Sequence, residues 1–359
     1  MSIISPLAQS LTPYVPGEQP RADIPWIKLN TNENPYPPSP AVRPAIEQAA
    51  ACLPLYPEPT SHLVRQAVAH RHGLTAEQVF VGNGSDDVLA LCFPAFFQGQ
   101  RQPIRMADIT YSFYQVYAAL FGVSTEICPL NTDFTMPIDR FCQGPCAGVL
   151  LTNPNAPTGL AVPLAAIERV LQAQPDCLVL VDEAYVEFGA QSAVSLIDRY
   201  PNLLVVRTLS KSHGLGGLRV GYAMGQIPLI DALTRIKDSF NSYPVDRLAQ
   251  AGAAAALADD AYTHGCCQKI IHTRTWFVQA LRERGFDVLD SMANFVFARP
   301  VDGDAAGWQS YLRTKGILVR RFDAPRIGDR LRISIGTDAD MRTLIETLDA
   351  RPSSFSSAT

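Results

Sequence analysis

Charge is scarce in this chain. Only 18% of its 359 residues are Asp, Glu, Lys or Arg, against roughly 25% in an average soluble protein. A surface so poor in charge is expected to be covered in part by another subunit. No run of Lys or Arg relieves the shortage, and the net charge is −4. The basic footprint needed to grip a phosphate backbone is therefore missing, which excludes nucleic acid as a partner. Long apolar runs are missing too. The most apolar window, Val88 to Phe97, is broken by Pro94 and is too short to cross a bilayer, so no membrane partner is expected. Residues 1–20 have neither the basic nor the apolar region of a signal peptide, and the protein is expected in the cytoplasm. Eight cysteines form no CxxC pair and no Cys/His cluster. That excludes a zinc-type metal site and leaves them as reduced, mostly buried thiols. No GxGxxG follows a strand, and Gly216 and Gly217 are adjacent, so a dinucleotide loop is excluded as well.

What is present suffices for a sizeable core. Apolar residues make up 47%, and the length predicts two domains. Thirteen of the 28 prolines fall in the first 60 residues, a density that disfavours regular helix and central strand. Residues 1–40 are therefore read as an extended arm. It carries Trp26, Ile27, Leu29 and Tyr36, which favour packing on the small domain or on a neighbouring subunit over a disordered tail. From about residue 60 the signals alternate. A helix over Ser61 to His72, capped by Thr60 or Ser61 and stopped by Gly73, leads to the strand Val79 to Val81. The turn Gly82-Asn83-Gly84 opens the next helix. Apolar strands at Gly148 to Leu151, Cys177 to Val181 and Leu203 to Val206 flank a helix over Ala165 to Gln174. Short apolar strands between helices predict an α/β fold with a parallel sheet covered on both faces. Ligands of such sheets bind at the carboxyl edge, where this chain gathers its polar residues. After about residue 245 the pattern changes. A long helix from Tyr262 to Arg284 precedes strands at Asn294 to Ala298, Ile317 to Arg320 and Leu331 to Ile335. Helices are expected around Ala305 to Thr314 and from Asp338. The division is a large domain over 41–245 and a smaller α+β domain over 246–359, with only the Ser-rich last residues lacking structure.

Four elements carry chemistry. Gly82 to Asp86 turns a strand into a helix, and free N–H groups with the helix dipole make such a turn an anion site, although a ligand-free turn reads the same way. Asn153-Pro154-Asn155-Ala156-Pro157-Thr158-Gly159 is a proline-stiffened loop at a strand end, suited to a ligand's flat face. Asp182 ends a buried strand, where a carboxylate needs a cationic partner. That partner is either a structural Arg or Lys or a protonated heterocycle. Lys211 follows Thr208-Leu209-Ser210, with Arg219 eight residues on. A desolvated lysine near other cations has the lowered pKa that covalent catalysis at a carbonyl requires.

Together these residues resemble the fold-type-I, class-II aminotransferases. The likeness spans Leu11 to Tyr14, Asn30 to Pro35, Gly82 to Asp87, Asp182 to Tyr185, Thr208 to Gly221 and Leu331 to Gly336. It implies a mostly parallel seven-stranded sheet in the large domain and pyridoxal 5′-phosphate (PLP) held covalently on Lys211. It further implies that Asp182 pairs with the pyridine nitrogen, Tyr185 bonds the ring's phenolic oxygen and Tyr111 stacks on the ring. Gly84, Ser85, Asp86, Thr208, Ser210 and Arg219 would surround the phosphate. Tyr56 would reach it from a second subunit, making a homodimer with shared sites. One position departs from the family pattern: the loop residue that usually supplies an Asn to the phenolic oxygen is Ala156. Either Asn155 takes over or Tyr185 acts alone. The implied reaction is a ping-pong transamination between a small-molecule amine and an oxo acid. Arg320 and Arg332 are expected to bind a phosphate or a carboxylate, alternately serving a phosphorylated amine and glutamate; surface pairing with acids is the plainer reading. Tyr14 and Tyr243 are expected beside them. Arg321, Arg326 and Arg330 are read as solvated or paired, His213 as incidental, and Phe93, Phe96 and Phe97 as core. A decarboxylase of threonine phosphate, an aromatic aminotransferase and a non-catalytic PLP binder remain as rivals.

Overall fold

The structure is a computed structural model that describes residues 3–20 and 25–352. The Ser-rich terminus and a short part of the arm lie outside the described residues. The strands, in chain order, begin with β1 (Ile27–Leu29), β2 (Val79–Gly82), β3 (Ile104–Ala107) and β4 (Thr125–Cys128). They continue with β5 (Gly148–Thr152), β6 (Leu178–Asp182), β7 (Leu203–Thr208) and β8 (Gly221–Gly225), and end with β9 (Asp287–Val288), β10 (Phe295–Arg299), β11 (Ile317–Arg321) and β12 (Leu331–Ser334).

Seven of these form one sheet in the order β2-β8-β7-β6-β5-β3-β4. Every residue of β5, β6 and β7 is buried, which is why those strands read as unbroken apolar runs. They pair in parallel, while β8 runs antiparallel to both its neighbours. The register sets Thr152 beside Asp182 and Asp182 beside Val206. The polar strand ends thus meet at one edge. At that edge β8 passes beneath the turn after β2, and a Cβ on Gly221 would sit 2.2 Å from the Ser85 nitrogen. Only glycine permits so close an approach.

The second sheet has the order β1-β11-β12-β10-β9, with β1 parallel to β11. Part of the arm is therefore an edge strand of the C-terminal sheet, and Pro6–Ser10 is a short helix. The proline-rich stretch also contains a regular helix, Val42–Ala50. Pro44 sits in its first turn, where no intrahelical bond needs its missing N–H. The helix His62–His72 does end at Gly73 in the left-handed region, but neither Thr60 nor Ser61 caps it with a side chain. The Glu58 carboxylate accepts from the His62 N–H at 2.7 Å instead. The helix Arg247–Ala258 falls beyond the boundary read at residue 245, yet it packs on Val42–Ala50 and His62–His72. Its buried face, including Ala249, Ala253 and Leu257, joins the core of the large sheet. Phe93 and Phe97 are core residues, in a wide π-helical turn that follows Gly84–Cys92.

Candidate active site

Cavity size is a poor guide in this molecule. A groove of about 760 Å³ opens at the amino edge of the large sheet, lined by residues such as Phe96, Arg101 and Asn202. None of the candidate site residues lies in it, and Phe96, read as core, is only partly buried at its wall. A cavity of about 110 Å³ opens at the carboxyl edge. Its walls are Ser85, Asp86, Tyr111, Thr152, Ala156, Asp182, Ala184, Tyr185, Thr208, Ser210, Lys211 and Arg219.

Asp182 forms part of the floor, and no structural cation meets it. Its Oδ2 accepts from the Tyr114 hydroxyl at 2.8 Å and its Oδ1 from the Ala184 N–H at 3.1 Å. Burial with so little compensation raises its pKa to about 6. Tyr114 was not singled out from the sequence; its place one helical turn after Tyr111 was the available signal. The structural arginine goes to the next residue. Arg207 pairs with Glu183 at 2.9 Å and with Glu187 at 3.1 Å, and Ser192 and the Ala193 N–H satisfy the rest of Glu183.

Lys211 has no carboxylate partner among the described residues. Its Nζ donates to the Thr31 carbonyl at 3.1 Å, while Asn34 Nδ2 donates to the carbonyls of Lys211 and Ser212 and holds the turn. Burial first, and the nearby Arg332 second, pull its pKa down to about 8. A substantial neutral fraction near physiological pH makes it a usable nucleophile and base. His213 lies behind, its ring against Ser212 and Arg71, and does not reach the cavity.

Opposite the floor lies an anion cradle. The helix Gly84–Cys92 points its first N–H groups there, and Gly84 has φ +82°. A Cβ at Gly84 would sit 2.5 Å from Arg219 Nη2. Arg219 donates to Asp86 Oδ2 at 3.1 Å and to Ser210 Oγ at 3.3 Å. Thr208 Oγ1 donates to Ser210 Oγ at 3.0 Å. Asp86 also accepts from Tyr111 at 2.6 Å, which fixes the tyrosine over the cavity.

The remaining candidates divide. Tyr185 lines the cavity, its ring edge-on to Phe295. Asn155 does not: its Nδ2 is used on the Ile109 carbonyl and, within the loop, on Thr158 Oγ1, while its Oδ1 is buried without a partner among the described residues. Ala156 takes the wall position, so Asn155 is not a cavity residue and no amide faces the ligand from this loop. Arg332 donates to the Asn30 carbonyl at 2.9 Å, and its Nε is buried without a partner. Its guanidinium lies over Phe295 and Phe322, and Lys211 feels its charge. Arg320 pairs in register with Arg332 across β11 and β12, but its side chain faces a neighbouring groove with Glu18 and Arg313. Neither arginine has an acid partner among the described residues, whereas Arg321, Arg326 and Arg330 pair with Asp323, Asp108 and Asp287. Tyr14 stacks on Phe113, itself against Tyr111, with ring centroids 4.3 and 5.5 Å apart. Tyr56 and Tyr243 lie outside this chain's own cavity, stacked on each other at 5.0 Å on an exposed face.

A buried carboxylate lacking a cation, an amine of lowered pKa and a cradle of hydroxyls, helix N–H groups and arginine share one cavity. They fit a flat heterocycle with a protonated nitrogen, a carbonyl and a phosphate arm, which describes PLP. Residues 24–348 match the family "Aminotransferase class I and II", and the chain belongs to that family. Its relatives are narrower in name. It is 53% identical over 349 residues to histidinol-phosphate aminotransferase 2 of Dechloromonas aromatica (strain RCB), covering 96% of this chain and 97% of that one. Identity to the histidinol-phosphate aminotransferase of Gluconacetobacter diazotrophicus is 54% over 345 residues, 96% of each. The crystal structure of histidinol-phosphate aminotransferase from Sinorhizobium meliloti in complex with pyridoxal-5′-phosphate superimposes with a TM-score of 0.85. It is 27% identical and covers 97% of both chains. A threonine phosphate decarboxylase from Porphyromonas gingivalis shares the fold, with a TM-score of 0.76 at 22% identity.

Proposed function

We propose that the chain is a PLP-dependent aminotransferase that converts L-histidinol phosphate and 2-oxoglutarate to imidazole-acetol phosphate and L-glutamate, a step of histidine biosynthesis. The observation that carries the reading is the pair Asp182 and Lys211, both facing one cavity and both left without a counter-ion. Bound PLP supplies an electron sink that acidifies the carbon bearing the amino group. Asp182 holds the proton on the ring nitrogen. Lys211 Nζ takes the proton from the substrate carbon as base and, once protonated, would deliver it to the cofactor's C4′ as acid, so that the amino group stays with the cofactor when the oxo acid leaves. Gly84, Ser85, Ser210 and Arg219 anchor the phosphate arm, and Tyr111 covers the ring. Arg332, desolvated and lacking an acid, binds the substrate's phosphate or the glutamate carboxylate, with Arg320 beside it in register. The full-length similarity to histidinol-phosphate aminotransferases favours this substrate over threonine phosphate decarboxylation.

The exposed face supports a homodimer. Tyr56 and Tyr243 are stacked and exposed there, and Leu53 and Leu55, next to Tyr56 in the chain, are exposed too; apolar surface left open in this way marks a site of association. Tyr56 from one subunit then completes the other's phosphate site. No helix among the described residues is long and apolar enough to cross a membrane, and a cytoplasmic location goes with the reading. The large unit is best taken to extend through Ala258, with the smaller unit beyond it.

Adding PLP should give the purified protein a visible band that L-glutamate bleaches and that histidinol phosphate bleaches independently. Lys211→Ala should show no such band. Bleaching by glutamate alone would refute the amine and leave the class standing. Mixing inactive Lys211→Ala with weakened Tyr56→Ala should restore activity through hybrid dimers with one intact site; no gain on mixing rejects the shared site.

A further inference from the structure

The segment Asn30 to Pro35 contains a residue that the chemistry above leaves unused. Asn32 is buried, 1% exposed, and holds φ +57°, a backbone state that Asn, Asp and Gly tolerate and most side chains do not. Every polar group of Asn32 is engaged. Its N–H donates to Ser334 Oγ at 2.8 Å, and its carbonyl accepts from Asn294 Nδ2 at 2.9 Å. Its Oδ1 accepts from Ser334 Oγ at 3.0 Å, and its Nδ2 donates to the Tyr185 hydroxyl at 3.0 Å.

The directions of these bonds follow from one fixed point. A backbone N–H can only donate, so Ser334 Oγ accepts from Asn32 and keeps its own hydrogen to give away. That hydrogen goes to Asn32 Oδ1, which turns the amide nitrogen towards Tyr185. An amide N–H can only donate, so the Tyr185 oxygen accepts and the hydroxyl hydrogen is left over. No described residue accepts that hydrogen, and Tyr185 lines the cavity. The loop wall across from it is Ala156, which offers a methyl group.

Resting on the PLP reading above, we propose that Asn32 is a positioning residue: it fixes the polarity of the Tyr185 hydroxyl so that Tyr185 donates its hydrogen bond into the cavity, to the ring oxygen of the cofactor. With Ala156 in the wall, Tyr185 is the donor this oxygen depends on. Ser334 belongs to the C-terminal sheet and Asn294 immediately precedes its strand β10, and the Thr31 carbonyl next door holds Lys211 Nζ. The small sheet therefore sets the orientation of two active-site groups through one segment. Lys211, Arg332, Asp182 and Asp86 are the charged groups that face Tyr185, and none of them is altered by the variants below.

A donor to the ring oxygen withdraws electron density from the lysine-bound cofactor and lowers its proton affinity. Its loss raises the pH midpoint of the visible band. The test is an absorbance titration, with no substrate, of PLP-loaded wild type, Asn32→Gly, Tyr185→Phe and the double variant. Glycine keeps φ +57° available, so the backbone is not strained. The midpoint should rise by about one pH unit in Asn32→Gly, the size of one hydrogen bond to a charged acceptor. It should rise at least as far in Tyr185→Phe, and no further when Asn32→Gly is added to it. Ser334→Ala, which frees the amide to turn round, should move the midpoint the same way by less. An unchanged midpoint in Asn32→Gly, or an equal rise with and without the Tyr185 hydroxyl, overturns the proposal. Absence of a band in the wild type would instead refute PLP binding itself.

Discussion

Asp182 and Glu183 follow one another at the end of β6, equally deep in the protein, and their surroundings are opposites. Glu183 faces a closed network in which Arg207, Ser192 and the Ala193 N–H satisfy it. Asp182 faces the cavity with two neutral donors and no cation. The same contrast recurs among the arginines. Arg321, Arg326 and Arg330 each have an acid, whereas Arg332 is half-buried, its Nε fully so, with none among the described residues. Burying an unpaired charge is unfavourable. A fold that leaves an acid, an amine and a guanidinium unpaired around one space has left them for a ligand that supplies the missing charges.

The sharpest way to break this comparison is to neutralise each member of the acid pair. Glu183→Ala takes the closer of two acids from buried Arg207 and leaves Glu187, and should lower stability by about 3 kcal/mol, read by urea unfolding of the apoprotein. Asp182→Asn should leave stability intact or raise it, and cut kcat by about 10²–10³-fold. If Asp182→Asn unfolds the protein and keeps its rate, the contrast is wrong. The arginines give the next effect. Arg332→Met should reduce kcat/KM for histidinol phosphate by about 10²-fold or more, the consequence of an unpaired buried phosphate. Arg330→Met should lower the melting temperature and leave kcat/KM within about 3-fold, since Arg330 packs on Phe134 and Phe297 and pairs with Asp287.

Proton linkage offers a smaller test. The pKa of Asp182 in the folded apoprotein is raised to about 6 from 3.8. Between those values the folded state binds the extra proton, so this group destabilises the apoprotein progressively as pH rises through the window. The stability advantage of Asp182→Asn over wild type should therefore grow from pH 4 to pH 6, by on the order of 2–3 kcal/mol, and then level off. A constant difference across that range would count against an uncompensated carboxylate. His213 gives the smallest change. Burial, with Arg71 and Arg207 nearby, depresses its folded pKa to about 3 from 6.5. The stability it contributes is present above pH 6.5 and is lost as pH falls towards 3. His213→Gln should flatten the acid limb of the stability curve and leave kcat at neutral pH within about 2-fold.

Local pattern carried much of this into view beforehand. Strands β5, β6 and β7 are unbroken apolar runs because both their faces are covered, and Asp182 and Lys211 stand out because a charge interrupts such a run or ends it. The spacing from Lys211 to Arg219 survives as the turn that brings both to one cavity. Other features were misread for physical reasons. Proline density suggested that no helix could form early in the chain, yet Pro44 occupies a first turn, where a missing N–H is harmless. Asn155 looked able to replace the amide lost at Ala156, but its Nδ2 is taken by the Ile109 carbonyl and Thr158 Oγ1 and does not reach the cavity. Tyr114 and Asn32 act through partners 68 and 153 positions away; the spacing from Tyr111 hinted at the first, and nothing local marks the second.

The amino-acid sequence by itself determined the α/β alternation, the covalent order of the strand ends and the placing of Asp182, Lys211 and Arg219 at or just after those ends. Those follow from propensity, burial and side-chain chemistry, which act over a few residues. Only the tertiary structure decided which charges would be neutralised. Arg330 and Arg332 are two residues apart and indistinguishable in type, but Arg330, just before β12, meets Asp287, whereas Arg332, within the strand, meets a carbonyl 302 positions away. Pairing is a property of what the topology brings within about 3 Å, and that distance is set by the whole fold.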